Sequence, residues 1–426
     1  MTAHHCSEIG LKTTVSRFLE NFHSDQPFGI AVSGGSDSTG LLIALSQLTA
    51  PDRLVALTVD HGLRSGSREE AVAVGQLCRR LGIRHEILQW KGEKPATGIQ
   101  AAARNARYRL LSDAARKFQL GAIVTAHTVN DQAETLVMRK RRIAGDADWA
   151  KGWGMAGIPP ATLYDETVWF VRPFLSVDRS AIRSFLGQND IGWSDDPSNE
   201  DTRYERVRVR KAGPVLNRPY GRVWEARSEW SGSIATVLNG NVTRTENDCF
   251  YLETGDLTVA MVEATLAVLI DVAGGRSRGI DKNGRERLRE FVSASAPATL
   301  TVGRTALSRK SDQIKLQRER RNIPRVELAP GDVVTWDGRY RISYPSTGNS
   351  DRPPVEVRGD HASGILPEFH VSGGNPANIL VQRLSGRASR LLPVFEVAQA
   401  NAIARICGRG PFPACPWRNW MISALV

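Results

Sequence analysis

Short apolar runs alternate with longer amphipathic stretches through the first half of the chain. Gly29–Val32 (GIAV), Leu54–Val59 (LVALTV), His85–Leu88 (HEIL), Ala122–Ala126 (AIVTA) and Thr167–Val171 (TVWFV) have the composition of strands. Between them the apolar positions take helical spacing. Leu41, Ala44, Leu45 and Leu48 share one helix face, as do Ala103, Leu110, Leu111, Ala114 and Phe118. Strand and helix repeated in this way predict an α/β fold, a parallel sheet with helices on both faces. Ligands of such sheets bind outside the carboxyl ends of the strands, so the chemistry is expected just after each strand.

The alternation stops around Lys211–Tyr220 (KAGPVLNRPY). Ser228–Leu238, Thr258–Val272 and Asn283–Val292 read as helices, and from Thr299 short β runs broken by Gly and Pro take over. A Pro/Gly-rich stretch at Asp351–Asn375 precedes a small terminal module. The expected layout is an α/β domain at 1–215, a helical central domain at 216–298 and a β-rich, α+β region at 299–426. A chain of 426 residues is long enough for two or three such bodies.

Charge adds a partner class. Fifty-six Lys+Arg against 45 Asp+Glu leave +11, which attracts polyanions such as RNA. No apolar run approaches the roughly 18 residues of a membrane span, and the N-terminus lacks a secretory pattern. A cytoplasmic protein without membrane partners is expected. Cys6, Cys78, Cys249, Cys407 and Cys415 form no CxxC pair, which argues against a zinc site or a disulfide framework.

The densest candidate chemistry is IAVSGGSDSTGLL, Ile30–Leu42. Gly34 and Gly35 let the backbone turn and approach a ligand closely. The helix that follows presents unpaired N–H groups, and Ser33, Ser36 and Ser38 add hydroxyls, which together suit phosphate oxygens. Asp37 beside phosphates makes sense as a Mg²⁺ ligand. No lysine follows the glycines, so this is not the common nucleotide-triphosphatase loop. SGGSDS resembles the SGGxDS loop of the N-type ATP pyrophosphatases (PP-loop proteins), a Rossmann-like class that cleaves ATP between its α- and β-phosphates.

HGLR at His61–Arg64, ARNARY at Ala103–Tyr108 and NDQAET at Asn130–Thr135 are further stretches that together resemble one family of that class, the tRNA(Ile)-lysidine synthetases. TVDHGLRSGSREE is similar to its V-x-HGLR, with the backbone around Val59–His61 toward the adenine and His61 in the ATP site. GIQAAARNARYRLL resembles its G-x-x-x-x-AR-x-x-RY helix, on which Arg104, Arg107 and Tyr108 can share a face. TAHTVNDQAETLVMRK resembles T-A-x-H-x-[DN]-D-x-x-E-T, in which Asp131 and Glu134 stand three apart in the first turn of a helix. Those carboxylates suit a cationic amine, although helix capping is a competing role for them. VRPFL and the W-x-x-DPSN-x-D stretch from Trp193 to Asp201 complete the resemblance, ahead of Arg203, Arg206, Arg208, Arg210 and Lys211. Basic runs such as this one and RKRR at Arg139–Arg142 are either solvated surface or RNA phosphate contacts.

The resemblance implies an ATP-dependent carbon–nitrogen ligase using ATP and Mg²⁺. Its partners would be free L-lysine and an isoleucine tRNA with a CAU anticodon, and the C-terminal region at 299–426 would bind the tRNA. It assigns Asp37, Asp131 and Glu134 to catalysis and Ser33, Gly34, Gly35, Ser36, Asp37, Ser38 and His61 to ATP, with Asp37 on the metal. Arg104, Arg107, Asp131, Glu134, Arg206 and Arg208 are assigned to lysine and tRNA. The oligomeric state stays open, a homodimer included. The chain departs from the family pattern at Thr128, where a histidine is usual. It departs again at Ile143 and Ala144, where a glycine-rich loop is usual, and at Val207, where asparagine is usual. Another PP-loop enzyme acting on tRNA, or an RNA-binding protein with a degenerate nucleotide site, are the alternatives.

Overall fold

The computed structural model describes residues 3–63, 66–142, 156–195, 201–203, 205–213, 220–276, 278–294, 297–346, 352–371 and 378–421. They group into two compact units. One comprises Met1–Arg227, Pro393–Phe395 and Pro413–Val426, the other Ser228–Leu392 and Glu396–Phe412. Ile143, Ala144 and the DPSN residues Asp196–Asn199 lie outside the described residues.

In the first unit the order is α1 (Ala3–Glu20), β1 (Phe28–Ala31), α2 (Ser36–Ser46), β2 (Leu54–Asp60), α3 (Ser67–Arg80), β3 (Arg84–Gln89), α4 (Ile99–Lys117), β4 (Ile123–Val124), α5 (Val129–Arg142), β5 (Ala161–Tyr164), β6 (Val168–Val171), α6 (Arg179–Gln188) and α7 (Glu205–Lys211). These strands lie side by side as β5-β6-β4-β1-β2-β3. Pairing is parallel from β6 through to β3. All five predicted strands are present. The order reverses between β1 and β4, and a doubly wound sheet opens a crevice at such a reversal, above the carboxyl ends. Both acid-bearing loops, after β1 and after β4, therefore meet there.

β5 was not foreseen. It runs antiparallel to β6 through a three-residue connection, Asp165 to Thr167, with φ of 46° at Asp165 and 62° at Glu166. Two positive φ values are the mark of a primed hairpin turn, which the sequence signals only when Gly or Asn is present. The long helix α8 (Tyr220–Asn241) crosses the division between the units.

The second unit holds a five-stranded antiparallel sheet of Val242–Arg244, Phe250–Glu253, Gln313–Arg318, Thr305–Lys310 and Ala298–Val302, in that spatial order. One core cluster joins Leu238, Phe250, Leu266, Leu269 and Leu288 to Leu307, Ile314 and Leu316. That core spans the expected boundary at residue 299, because strands from both sides complete one sheet. Two three-stranded sheets around Trp336, Ile342, Val355 and Val357 follow, then the helix Val397–Ile406. No described helix is long and apolar enough to cross a membrane.

Candidate active site

The loop between β1 and α2 is built as a cradle. Gly34 has φ +87°, which only glycine adopts without strain. Ser33 N–H donates to Ser38 Oγ (3.1 Å), and Ser38 Oγ donates to the Gly35 carbonyl (3.1 Å), so the turn is closed by its own serines. No side chain caps the N-terminus of α2. Its first-turn amides, with the partial positive charge of the helix end, are directed at the crevice.

Thr128 explains the next loop. Fully buried, it gives both its N–H (2.8 Å) and its hydroxyl (2.9 Å) to Asp131 Oδ2 at the start of α5. This is a capping box in which the acid stands at the third helical position. One oxygen of Asp131 is thus structural. The other, Oδ1, accepts from Arg206 Nη2 (2.7 Å) and Arg179 Nη2 (3.4 Å). Burial alone would raise the Asp131 carboxyl, but Arg206, the Thr128 N–H and Arg179 hold it below the usual range.

Glu134, one turn on, accepts from Arg206 Nε (2.6 Å) and Arg210 Nε (2.8 Å), with Arg179 Nη1 at 3.8 Å. Its side chain is 1% exposed. Asp37 Oδ2 accepts from Arg179 Nε at 2.9 Å. Burial, only partly offset by Arg179, holds the Asp37 carboxyl above its ordinary value. Three carboxylates and three guanidiniums thereby form one compact network.

Two cavities flank it. The first, of about 640 Å³, is lined by Leu57, Val59, His61, Ile99, Ala103, Arg104, Leu111 and Phe170 among others. The second, of about 670 Å³, is lined by Ser36, Asp37, Ser38, Asp131, Arg179, Arg183, Arg206 and Arg210 among others. Ser33, Gly35, Arg107, His127 and Ser194 line both. The apolar walls of the first suit a base, and the donor-rich second suits phosphates and polar groups.

With this geometry in place, the comparisons decide the family. Residues 8–216 match the PP-loop domain family. A tRNA(Ile)-lysidine synthase of Mesorhizobium japonicum is 36% identical over 91% of this chain and 93% of its own length. Those of Rhizobium meliloti (34%, 96% and 98%) and Brucella ovis (38%, 90% and 97%) align as fully. The chain belongs to the tRNA(Ile)-lysidine synthase family.

Within that family frame, most residues singled out from sequence come together. Ser33, Gly35, Ser36, Asp37, Ser38, His61, Arg104, Arg107, Asp131 and Arg206 all line the two cavities. Glu134 lies behind Arg206 and Arg210 instead of on the cavity wall. Gly34 and Arg208 line neither cavity either: Gly34 serves the turn, and Arg208 Nη1 donates to the carbonyls of Thr202 and Arg203. On a helix, positions two apart point away from each other and positions four apart align. The arginine that accompanies Arg206 is therefore Arg210. Val207, the departure from asparagine, is buried, as is Val209.

Arg179, Arg183, His127 and Ser194 were not picked out. Arg179 heads α6, whose N-cap Asp178 accepts from Ser180 N–H. Nothing in a single D-R-S turn distinguishes it from a surface cap. His127 Nδ1 stands 3.1 Å from Thr125 Oγ1. Burial and the Arg172 and Arg107 charges press its imidazolium well below the ordinary value, so the ring is neutral. Ser194 N–H donates to the Gly34 carbonyl (2.9 Å) and its hydroxyl to Glu70 (3.0 Å), which ties the segment after α6 onto the cradle.

Proposed function

We propose that this protein adenylates the wobble cytidine of an isoleucine tRNA with a CAU anticodon and then joins free L-lysine to that base, releasing AMP and pyrophosphate. The observation that carries this reading is the shared wall. Ser36, Asp37 and Ser38 of the phosphate cradle and Asp131 of the amine-attracting pair line one cavity, which shares Arg107 and His127 with the apolar cavity beside it. Ser33–Ser38 would hold phosphate oxygens through backbone amides and hydroxyls, and Arg107, which lines both cavities, would meet negative charge developing on the nucleotide. Asp131 and Glu134 attract the ammonium of lysine, and orientation beside the activated base does the rest.

The donor set fits one magnesium ion poorly enclosed by protein. Among the described residues no group of three or more His, Cys, Asp or Glu could hold a metal. Mg²⁺ commonly takes one or two carboxylates plus phosphates and water, and Asp37 at the cradle meets that requirement. When bound, it would supply charge neutralisation to the leaving pyrophosphate.

Sulfur chemistry finds no support here. Cys78, Cys249 and Cys407 are buried, burial pushes the Cys78 thiol up to about 11, and among the described residues no cysteine lines either cavity. A tRNA substrate fits the +11 charge and a cytoplasmic setting.

The test is incubation of the full chain with ATP, Mg²⁺, radiolabelled lysine and total tRNA. One minor isoleucine tRNA should take up label, with AMP and pyrophosphate formed in step. Unlabelled tRNA, or ADP and orthophosphate as products, would refute the proposal.

A further inference from the structure

The carboxylates expected to receive an amine are already occupied. Asp131 and Glu134 accept from Arg206 at 2.7 and 2.6 Å, and Glu134 also from Arg210 at 2.8 Å. With Asp37 and Arg179 the network holds three negative and three positive groups. An ammonium cannot reach Glu134, whose side chain is 1% exposed, unless an arginine withdraws. Arg179 is 17% exposed, whereas Arg206 and Arg210 are 38% and 32% exposed and both line the cavity beside the phosphate cradle.

Each substrate therefore meets a cost that the other removes. Phosphates seated on Ser33–Ser38 draw guanidiniums, and an arginine that turns to them leaves a buried carboxylate short of a partner. An ammonium arriving alone displaces a guanidinium and leaves that cation short of one. Breaking a buried ion pair is strongly unfavourable when one partner is left behind. When both substrates arrive, every charge is paired again: arginine with phosphate, carboxylate with ammonium.

We propose that Arg206 and Arg210 are placeholders for the amine, and that ATP and lysine bind with positive, reciprocal coupling by exchange of these ion pairs. This rests on the ligase reading above. It makes the nucleotide the signal that opens the amine site, so that lysine is taken up chiefly by a protein already loaded with ATP.

The experiment is calorimetric titration of the full chain with L-lysine, with and without α,β-methylene-ATP and Mg²⁺. The analogue should tighten lysine about tenfold or more, and lysine should tighten the analogue by the same factor, as linkage requires. Arg210→Gln should move the two affinities in opposite directions, with lysine tighter in the nucleotide-free protein, the analogue weaker and the coupling factor smaller. Arg210→Lys, which keeps the charge and loses the Nε–Glu134 bond, should fall between. A packing role alone would weaken both ligands together.

Equal lysine affinity with and without the analogue overturns the exchange, as does an unchanged coupling factor in an R210Q protein that melts like the parent. The reciprocity measured on the parent protein decides the matter if R210Q fails to fold. Coupling seen with another primary amine and absent with lysine would uphold the exchange and overturn the choice of lysine.

Discussion

Asp131 serves two masters, one oxygen for its helix and one for the cavity, and this division makes Thr128 more than a lost histidine. Thr128→Val keeps the backbone donor and removes the hydroxyl, so about 1 kcal/mol of stability should go, the ordinary worth of a cap. Urea unfolding reads that change, and the Michaelis constant for lysine should rise as the carboxylate loosens. His127 sets a pH dependence of its own. Arg172, Arg107 and Arg206 press its pKa down and Asp131 pulls it up, with burial the largest influence and the net effect downward. A histidine depressed in the folded state stays neutral while the unfolded chain takes up a proton near pH 6.5. Its contribution is therefore complete above pH 6.5 and is lost as pH falls toward the folded value, at about 1.4 kcal/mol per pH unit. His127→Asn should flatten the stability profile on the acid side of pH 6.5, and an unchanged slope there would show that His127 titrates normally.

At the scale of elements, the site depends on how closely α2 packs on α6. A Cβ on Gly40 would lie 2.3 Å from Ile182 Cγ2, and a β-branched side chain has little freedom to turn aside. Gly40→Ala should therefore cost about 1–3 kcal/mol by overpacking. Because α6 carries Arg179 to Asp37, pyrophosphate release should slow as well. Adding Ile182→Ala opens the space again, and recovery of both stability and rate in the double variant is the expected outcome. The last glycine of SGGSDSTG is thus a packing residue, whereas Gly34 is there for its backbone angle. Sequence alone had no means of separating the two. Nor could it choose Arg210 over Arg208, since an R-x-R-x-R run becomes two faces only once α7 is known to be helical.

For the whole molecule, the chain's return matters. Trp417 is 1% exposed and packs edge-on against Phe18 at 5.4 Å, and Trp169 Nε1 donates to the Pro413 carbonyl (3.1 Å). Trp224 and Phe395 share a small core with Ala156 and Leu175. All belong to the first unit, so a fragment ending near residue 215 would lack part of its own core. Trp417→Ala in the full chain should destabilise the first unit by about 3–5 kcal/mol, read as earlier proteolysis of that unit. Loss of activity in a 215-residue fragment would consequently say nothing of RNA contacts. Salt dependence is the better probe. Removing one arginine that meets a tRNA phosphate should lower the slope of log affinity against log salt by about one unit.

Sequence by itself determined the alternating strands, the tight glycine–serine turn after β1 and the placing of Asp131 and Glu134 in one helix turn, because hydrophobic period, glycine chemistry and short-range spacing are local properties of the chain. Tertiary structure alone decided that Arg179 and Arg210 close on carboxylates far away in sequence, that Val207 belongs to the core, and that strands from both sides of residue 299 make one sheet. Those outcomes depend on which elements end up adjacent, and adjacency is fixed by packing across long stretches of chain, a quantity that no short window of residues contains.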